Sequence, residues 1–295
     1  MGDRREFRIV SNCALLAFLL GPPLSLSRKR AKDLLRFDRV AVHGKTHVRH
    51  DTPLEPGDTV EILSRARPAD RSFEHAGLRI LHLDEAIAVI DKPAGLLSIG
   101  SEREKENTTH RLLNDHLKSI SRSHRQQIFI VHRLDRETSG LMIFARSESI
   151  QAALQSNWKD LTKRYLAIVE GVPADPEGTL RDHLIESKAL KVHRVERGGA
   201  LAITHYRVIR NNGARSMLEL TLETGRKHQI RVQLAAFGHS IIGDKKYGAK
   251  NASAGRLALH SCELEFRHPV SGAPMEFRSE LPGALLALID RPRRS

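Results

Sequence analysis

Residues 131–140, VHRLDRETSG, form a charged segment between two short apolar runs, 128–131 and 141–145. Short apolar runs bounded by turn-forming residues are typical of buried strands. The charged segment is therefore predicted to be a tight loop at the end of a sheet. A polar loop on a rigid frame is a common way to build an active site. Spacing alone is equally compatible with an ordinary surface turn.

The composition of the 295-residue chain favours a polyanionic partner. Lys and Arg number 48 against 35 Asp and Glu, which gives a net charge of +13 and a pI near 10.1. Such a balance is expected of a protein that binds nucleic acid or an anionic membrane surface, and charge alone does not choose between them. The length is enough for one large domain and a small one, and the apolar content of 40% allows a sizeable core.

The two cysteines, Cys13 and Cys262, are too few for a disulfide framework or a zinc cluster. Reduced thiols in a cytoplasmic protein are the prediction. The apolar run 13–20 follows basic residues, as the core of a signal peptide does, but no small-residue cleavage site comes after it. It is also too short to span a bilayer, so a core helix is predicted and no membrane partner.

The segment 11–64 has the pattern of a small unit with a basic helix. Ser27 can cap a helix that runs to about residue 37 and has an apolar stripe. Basic residues recur every four positions on another face of this helix, namely Arg28, Lys32 and Arg36. A strand and a turn at His43, Gly44 and Lys45 follow. A basic stripe is usually just a solvated face, so the pattern alone does not establish RNA binding.

The charged loop resembles the signature of the RluA family of RNA pseudouridine synthases. HRLD, then two residues, then TSG match it at seven positions. The resemblance implies that Asp135 is the catalytic residue and that Arg133 enters the RNA stack beside the target base. In the predicted strand 163–171, KRYLAIVEG, it implies that Tyr165 stacks on the target uracil. A lone strand tyrosine is normally a packing residue, yet a flat ring also suits a flipped base.

A second motif lies at residues 224–231, TGRKHQIR, where a helix is predicted that Gly238 ends. The run as far as Gly248 resembles the next motif of the same family. The resemblance implies that Arg231 pairs with Asp135, which would favour the charged carboxylate. Arg226 is a further expected RNA contact.

Three residues near this motif could be interpreted as metal ligands: His228, His239 and Asp244. They are widely spaced and arginines stand among them, which does not suit a metal ion. Neutral histidines bonded to the backbone are predicted instead, and no metal site. For Lys92, in the family-like segment DKPAGL at 91–96, a Pro-Gly turn and a substrate role remain equally open.

The segment 11–64 also resembles a small S4-like RNA-binding module, in which a basic helix and a hairpin grip RNA. This implies RNA contacts by Arg28, Lys32, Arg36 and Lys45. The predicted domains are this module at 11–64, a linker at 65–77 and a pseudouridine synthase catalytic domain at 78–289. The catalytic part should be α+β, with a mixed, mostly antiparallel central sheet and flanking helices.

Residues 257–266 are expected to close the central sheet. Alternation places Cys262, Leu264 and Phe266 inward, with Glu263 and Glu265 outward.

The implied activity is isomerisation of uridine to pseudouridine in structured RNA. The reaction has no redox change and loses no group, so no cofactor is expected. The front module favours large-subunit ribosomal RNA, with transfer RNA still open, and a monomer is expected. One alternative is an RNA-binding or ribosome-assembly protein without catalysis. Another is a hydrolase that uses Asp135 with His132, although the chain lacks a Gly-x-Ser-x-Gly nucleophile turn.

Overall fold

The computed structural model describes residues 4–36, 40–44, 48, 50–63, 74–75, 77–100, 104, 106–120, 127–187, 189–248 and 255–290. The chain divides into two compact units, Met1–Ser72 and Phe73–Ser295. Within the described ranges, no helix combines the length and the apolar character needed to cross a bilayer.

In the first unit, the part of the chain that the structure describes forms short strands and two helices. Its elements are β1 (Arg4–Arg8), β2 (Cys13–Ala14), α1 (Leu15–Leu20), α2 (Arg28–Arg36), β3 (Val40–Val42), β4 (Pro53–Leu54) and β5 (Thr59–Leu63). Strands β1, β5 and β3 form one sheet in that order, and β2 pairs with β4. Strand β1 was not predicted, and it lies before residue 11.

Local sequence explains the helix and the turn of this unit. The Ser27 hydroxyl accepts a hydrogen bond from the backbone N–H of Arg30 at 3.2 Å, as expected for a residue that caps α2. The apolar stripe of α2 is buried in the unit's own core. After β3 the chain turns through His43 and Gly44, whose φ angles are 50° and 73°. Most of the predicted linker at 65–77 lies outside the described residues, and Glu74–His75 within it form a strand.

The described residues of the second unit form one large sheet and four α-helices. The strands are β6 (Glu74–His75), β7 (Leu78–Leu83), β8 (Ile87–Lys92), β9 (Phe129–Ile130), β10 (Ser139–Ala145), β11 (Thr162–Glu170), β12 (Glu177–Glu186), β13 (Val192–Val195), β14 (Ala200–Asn211), β15 (Arg215–Leu222), β16 (Leu259–Arg267) and β17 (Pro274–Arg278). The helices are α3 (Thr109–Ile120), α4 (Glu148–Ser156), α5 (Gln229–Ala236) and α6 (Gly283–Asp290), with a 3₁₀ turn at Trp158–Asp160.

The sheet is mixed and mostly antiparallel. Its order is β13-β12-β14-β15-β11-β16-β10-β8-β7-β6, while β17 pairs with β16 and β9 with β10. Among the pairings of the described strands, only that of β10 with β16 is parallel. Helices α3, α5 and α6 cover one face and α4 covers the other. The predicted α+β architecture is confirmed.

The central strands β8 and β10 are buried on both faces. Met142 and Phe144 of β10 pack into the core cluster under α3 and α5, whereas Leu141 and Ile143 pack into the cluster under α4. Strands covered on both sides are expected to be continuous apolar runs rather than alternating ones. This explains the apolar run at 141–145 and fixes the charged loop that precedes it to the middle of the sheet.

Gly140 marks the closest approach of β10 to β16. It pairs with Ser261, and its φ is 109°. A Cβ atom built on Gly140 would lie 2.1 Å from the backbone oxygen of Ser261 and 2.7 Å from its nitrogen. The glycine that ends the charged motif is therefore required both by the backbone conformation and by the neighbouring strand.

The predicted alternation along β16 is wrong at Cys262 and Glu263. Arg164 of β11 pairs with Glu263 and Tyr165 pairs with Ser261, so Cys262 is the additional residue of a β-bulge. Leu264 and Phe266 enter the core as predicted. Glu263 is largely covered, because the Arg164 guanidinium lies 2.5 Å from its carboxylate.

Replacing Gly140 by alanine should destabilise the protein by several kcal/mol for two reasons. The alanine must adopt a strained φ, and backbone atoms of β16 must move to make room for its Cβ. Gly95→Ala is the matched control. Gly95 has a φ of 90° but open space around the new Cβ, so only the conformational strain of about 1–2 kcal/mol applies. Urea unfolding of both variants measures the difference. Equal losses of stability would contradict the role assigned to the contact between β10 and β16.

Candidate active site

The charged loop connects β9 to β10 and carries Asp135 at its centre. The backbone N–H of Thr138 donates to the carbonyl oxygen of Asp135 at 3.1 Å, which closes a turn. Thr138 is buried, whereas the Asp135 side chain is 26% exposed. The loop therefore presents its carboxylate to solvent while the backbone beside it packs into the protein.

Lys92, the last residue of β8, fixes this loop from inside the protein. It is fully buried, and its ammonium group donates to the carbonyl oxygens of Pro93, Leu96 and Arg136 at 2.9, 2.8 and 3.3 Å. Burial lowers the pKa of Lys92 to about 7, an effect that the charge of Asp135 opposes. Three acceptors match the three N–H bonds of the charged form. These contacts favour a structural role over a substrate role.

Further hydrogen bonds join the segment 93–98 to the charged loop. The N–H of Gly95 donates to the carbonyl oxygen of Arg136 at 2.8 Å, and Nε of Arg136 donates to that of Gly95 at 2.9 Å. The Ser98 hydroxyl donates to the carbonyl oxygen of Leu134 at 2.6 Å and accepts from its N–H at 3.1 Å. Because Leu134 and Arg136 flank Asp135, the backbone on both sides of this residue is held.

His132 is not available as a base. Its Nε2 accepts a hydrogen bond from the N–H of Ile143 at 3.1 Å, and its ring lies 4.6 Å from that of Trp158 between centroids. Burial lowers the pKa of His132 to about 3, so the imidazole is neutral. The hydrolase alternative, which paired His132 with Asp135, loses its general base.

Arg231 joins the second motif to the first. It lies on α5 and is 5% exposed, and its Nη1 donates to Oδ2 of Asp135 at 2.9 Å. Its Nε and Nη2 donate to the two carboxylate oxygens of Asp244, both at 2.8 Å. Nη2 also lies 3.6 Å from Oε2 of Glu137, and the guanidinium carbon lies 5.3 Å from the ring centroid of Tyr247. One buried cation thus holds three carboxylates.

Asp244 supports this cation and is 1% exposed. Burial raises its pKa, but hydrogen bonds and charge from Arg231, with backbone N–H groups of Lys246 and Tyr247, outweigh burial and lower the pKa below its ordinary value. Burial likewise opposes the charge of Arg231, but Asp244 and Asp135 raise the pKa of the guanidinium. Asp244 is therefore part of an ion-pair network, in which its carboxylate is already occupied.

The histidines near this network differ in their partners. Nδ1 of His239 lies 2.8 Å from the carbonyl oxygen of Glu170, as predicted for a structural histidine. The same prediction is wrong for His228, since its Nδ1 lies 2.7 Å from the hydroxyl of Tyr247. Nε2 of His228 lies 3.8 Å from Oδ1 of Asp135.

Tyr165 lies on β11, with its side chain in the core under α5 and its hydroxyl bonded to Ser261. Burial raises the pKa of Tyr165 to about 12, so the phenol stays neutral. Tyr165 and Asp135 line the same cleft, which has a volume of about 650 Å³. The ring therefore supplies a flat apolar wall to the space beside the carboxylate.

The cleft also collects the predicted RNA contacts of the second unit. Arg133 and Arg226 are exposed and line it. Nε of Arg226 donates to the carbonyl oxygen of Leu201 at 3.0 Å, which holds the guanidinium of Arg226 against β14. Leu259 and Ile230 add apolar surface. The cleft is large enough for a nucleotide and carries cations at its rim.

The predicted contacts of the first unit are described in part. Arg28 and Lys32 are exposed on α2. The side chain of Arg36 and the whole of Lys45 lie outside the described residues.

Among the described residues, one group has the spacing of a metal site, formed by Glu263, Glu265 and Glu276. It lies on β16 and β17, and arginines occupy its carboxylates. Arg164 pairs with Glu263 and Glu265, and Arg278 pairs with Glu276. The cluster is therefore an ion-pair ladder.

Sequence reasoning left Asp244, Ser98 and Tyr247 without roles. One signal for Asp244 was available: a charged residue within an apolar stretch of a helix, here Arg231 between Ile230 and Val232, requires a buried acidic partner. The hydroxyl contacts of Ser98 and Tyr247 join segments far apart in the chain, and no local pattern indicates them.

Comparisons with known proteins agree with this geometry. A profile of the family described as RNA pseudouridylate synthase matches residues 86–236. The chain is 34% identical over 278 residues to a ribosomal large subunit pseudouridine synthase D from Zymomonas mobilis, covering 87% of this chain and 86% of that protein. It is 32% identical over 283 residues to the protein of the same name from Vibrio cholerae, covering 89% and 86%.

A solved structure has the same fold. Human RNA pseudouridylate synthase domain containing 4 superposes with a TM-score of 0.60 at 26% identity, covering 72% of this chain and 94% of that one. Together with the matched profile and the relatives, the fold and the two sequence motifs assign the family. The chain belongs to the RluA family of RNA pseudouridine synthases, isomerases that convert uridine to pseudouridine in RNA.

Proposed function

We propose that Asp135 acts on the ribose of the target uridine and that Arg231 holds its carboxylate as one half of an ion pair. The observation that carries this proposal is the 2.9 Å contact between Nη1 of Arg231 and Oδ2 of Asp135 at a cleft where Asp135 remains 26% exposed. The reaction breaks the bond from ribose C1′ to uracil N1 and forms one to C5. The hydrogen lost from C5 is balanced by one gained at N1.

Both modes of action open to Asp135 need the same arrangement. Attack on the sugar and removal of a sugar proton each require a charged carboxylate with one accessible oxygen. Arg231 binds Oδ2, and its own charge is secured by Asp244, so the pair does not depend on solvent. Because the cation is already in position, no groups around Asp135 have to reorient to stabilise its charge during the reaction.

The cleft suits an extruded nucleotide. A base inside a helix is inaccessible, so it must be flipped out at a cost of a few kcal/mol. We infer that the Tyr165 ring stacks on the uracil and that Arg133 fills the vacated position or contacts phosphate. Base–aromatic stacking contributes about 1–3 kcal/mol, which offsets much of the cost of extrusion.

Asp135→Asn should lower pseudouridine formation by at least about 10³-fold while RNA affinity is retained, because the amide keeps the shape and loses the charge. Asp115→Asn is the matched control, since it makes the same change on a half-exposed residue of α3 that does not line the cleft. Carbodiimide mapping of RNA from cells that lack the protein, incubated with each variant, measures the product. Full activity of Asp135→Asn would refute the assignment.

Arg231→Met should lower the free energy of unfolding by about 3–5 kcal/mol, because Asp244 then remains buried and charged without its partner. Arg111→Met is the control. Arg111 also forms a 2.7 Å ion pair, with Asp115, but on the exposed face of α3, where its removal should leave stability nearly unchanged. Chemical denaturation compares the two. Equal stability of both variants would show that Arg231 is not the anchor of the site.

For the substrate we propose large-subunit ribosomal RNA in the cytoplasm. The relatives named ribosomal large subunit pseudouridine synthase D support this choice, since each aligns with more than four fifths of this chain. The net charge of +13 supports a polyanionic substrate. A substrate of transfer RNA remains the second candidate.

We further infer that the first unit is an S4-like RNA-binding module. It has its own apolar core, and Arg28 and Lys32 are exposed one turn apart on α2. The turn after β3, at His43 and Gly44, lies where the hairpin of such a module is expected. A basic helix on a small independent core is suited to backbone contacts with RNA.

Neutralising Arg28 and Lys32 together, as Arg28→Gln with Lys32→Gln, should weaken RNA binding and reduce its salt dependence. Two lost phosphate contacts lower the slope of log affinity against log salt by roughly 1–2. The control is Arg111→Gln with Lys118→Gln, which removes the same charge from α3. Filter binding to ribosomal RNA fragments at several salt concentrations gives the slopes. Identical slopes for both double variants would argue against the module.

A further inference from the structure

His228 faces the oxygen of Asp135 that Arg231 leaves open. Arg231 donates to Oδ2 of Asp135, whereas Nε2 of His228 lies 3.8 Å from Oδ1. The imidazole is 11% exposed, and His228 occupies the residue position before α5 with a φ of 53°. The position of this ring is therefore set by the backbone that also places Arg231, three residues further along.

The hydroxyl of Tyr247 is the hydrogen-bond partner of one ring nitrogen of His228. The Tyr247 hydroxyl accepts a hydrogen bond from the N–H of Val192 at 3.0 Å and lies 2.7 Å from Nδ1 of His228. A phenol has one proton to donate, and with Val192 as donor the phenolic proton is directed to Nδ1. Nδ1 then accepts, so the proton of a neutral imidazole resides on Nε2 and faces Asp135.

Burial and the surrounding cations favour the neutral form of this imidazole. Burial is the largest influence and lowers the pKa of His228, and the cations Arg231, Lys246 and Lys227 act in the same direction. The charge of Asp135 opposes them. The network thus contains one permanent cation, Arg231, and one neutral N–H donor beside the carboxylate.

We propose that His228 is a second positioning residue for the catalytic carboxylate, with its Nε2–H directed at Oδ1 of Asp135 by the hydroxyl of Tyr247. The proposal rests on the role proposed above for Asp135. A separation of 3.8 Å is longer than a hydrogen bond, and hydrogen bonds in active sites without substrate are often long and shorten when substrate binds. With RNA bound, this separation is expected to shorten to about 3 Å, the length of a hydrogen bond.

Such a contact fixes the plane of the carboxylate. An ion pair at Oδ2 alone leaves the group free to rotate about the bond from Cβ to Cγ, whereas a second donor at Oδ1 sets its orientation toward the ribose. Misplacement of a reacting group by about 1 Å can cost 10²-fold in rate. A neutral donor achieves this without a second full charge, which would hold the carboxylate more tightly and weaken it as a nucleophile or base.

The test compares two substitutions of His228 in the full-length protein. His228→Phe keeps the ring size and removes both nitrogens, so the single-turnover rate should fall about 10²-fold with unchanged RNA affinity. His228→Gln places an N–H donor at the same distance from the backbone and should recover the rate to within about tenfold. A merely structural role predicts no rescue by glutamine and a parallel loss of thermal stability.

Tyr247→Phe examines the tautomer without altering His228. The phenyl ring retains the contact with Arg231, and only the hydroxyl is lost. Long-range ¹H–¹⁵N spectra of ¹⁵N-histidine-labelled protein, with His228→Gln used for assignment, should show the Nε2–H form in the wild type and a mixture in Tyr247→Phe. An Nδ1–H form in the wild type, or full activity of His228→Phe, would overturn the proposal.

Assaying Asp135→Asn together with these variants tests the catalytic role of Asp135 and the positioning role of His228 separately. An inactive Asp135→Asn with a fully active His228→Phe refutes only the positioning role. An active Asp135→Asn removes the catalytic assignment itself, whatever the behaviour of His228.

Discussion

The site depends on a buried guanidinium that must have acidic partners. Arg231 is 5% exposed within a helix that is otherwise packed, and an unpaired charge there would cost several kcal/mol. Asp244 meets this requirement with both oxygens, which bind Nε and Nη2, and leaves Nη1 for Asp135. The arrangement is asymmetric: one carboxylate is enclosed and permanently occupied, while the other shares the cation and keeps access to the cleft. Under the proposed function, structural stability and chemical reactivity are divided between these two aspartates.

The loop that carries Asp135 is held in place as firmly as Arg231. Lys92 gathers three carbonyl oxygens beneath it, and Ser98 binds both polar atoms of the Leu134 backbone. Strand β10, which follows the loop, is buried on both faces and meets β16 at Gly140. A charged loop of this kind gains its geometry from the most rigid part of the sheet, which is what a reaction sensitive to small displacements requires.

Much of this organisation could be predicted from the sequence because it follows from local pattern. Apolar runs indicated β8 and β10, the serine cap indicated α2, and the resemblance of two motifs brought Asp135 and Arg231 together in advance. Alternation failed along β16, since the bulge at Cys262 depends on the partner strand β11. The same limit applies to Ser98, Tyr247 and His228, whose contacts join segments that are distant in the chain. Long-range hydrogen bonds leave no periodic trace in a sequence.

The bonds between the segment 93–98 and the charged loop have a consequence for the nucleic acid. Because Gly95, Arg136, Ser98 and Leu134 lock the two segments together, the protein has little freedom to adapt to a stacked uridine. The RNA must therefore deform, and the free energy of this deformation adds to the activation barrier. Each 1.4 kcal/mol added lowers the rate about tenfold. Bulges, junctions and weakly paired loops are then intrinsically faster substrates than regular duplexes. How easily the RNA deforms would then influence which uridine reacts, before the protein makes any contact with a base edge.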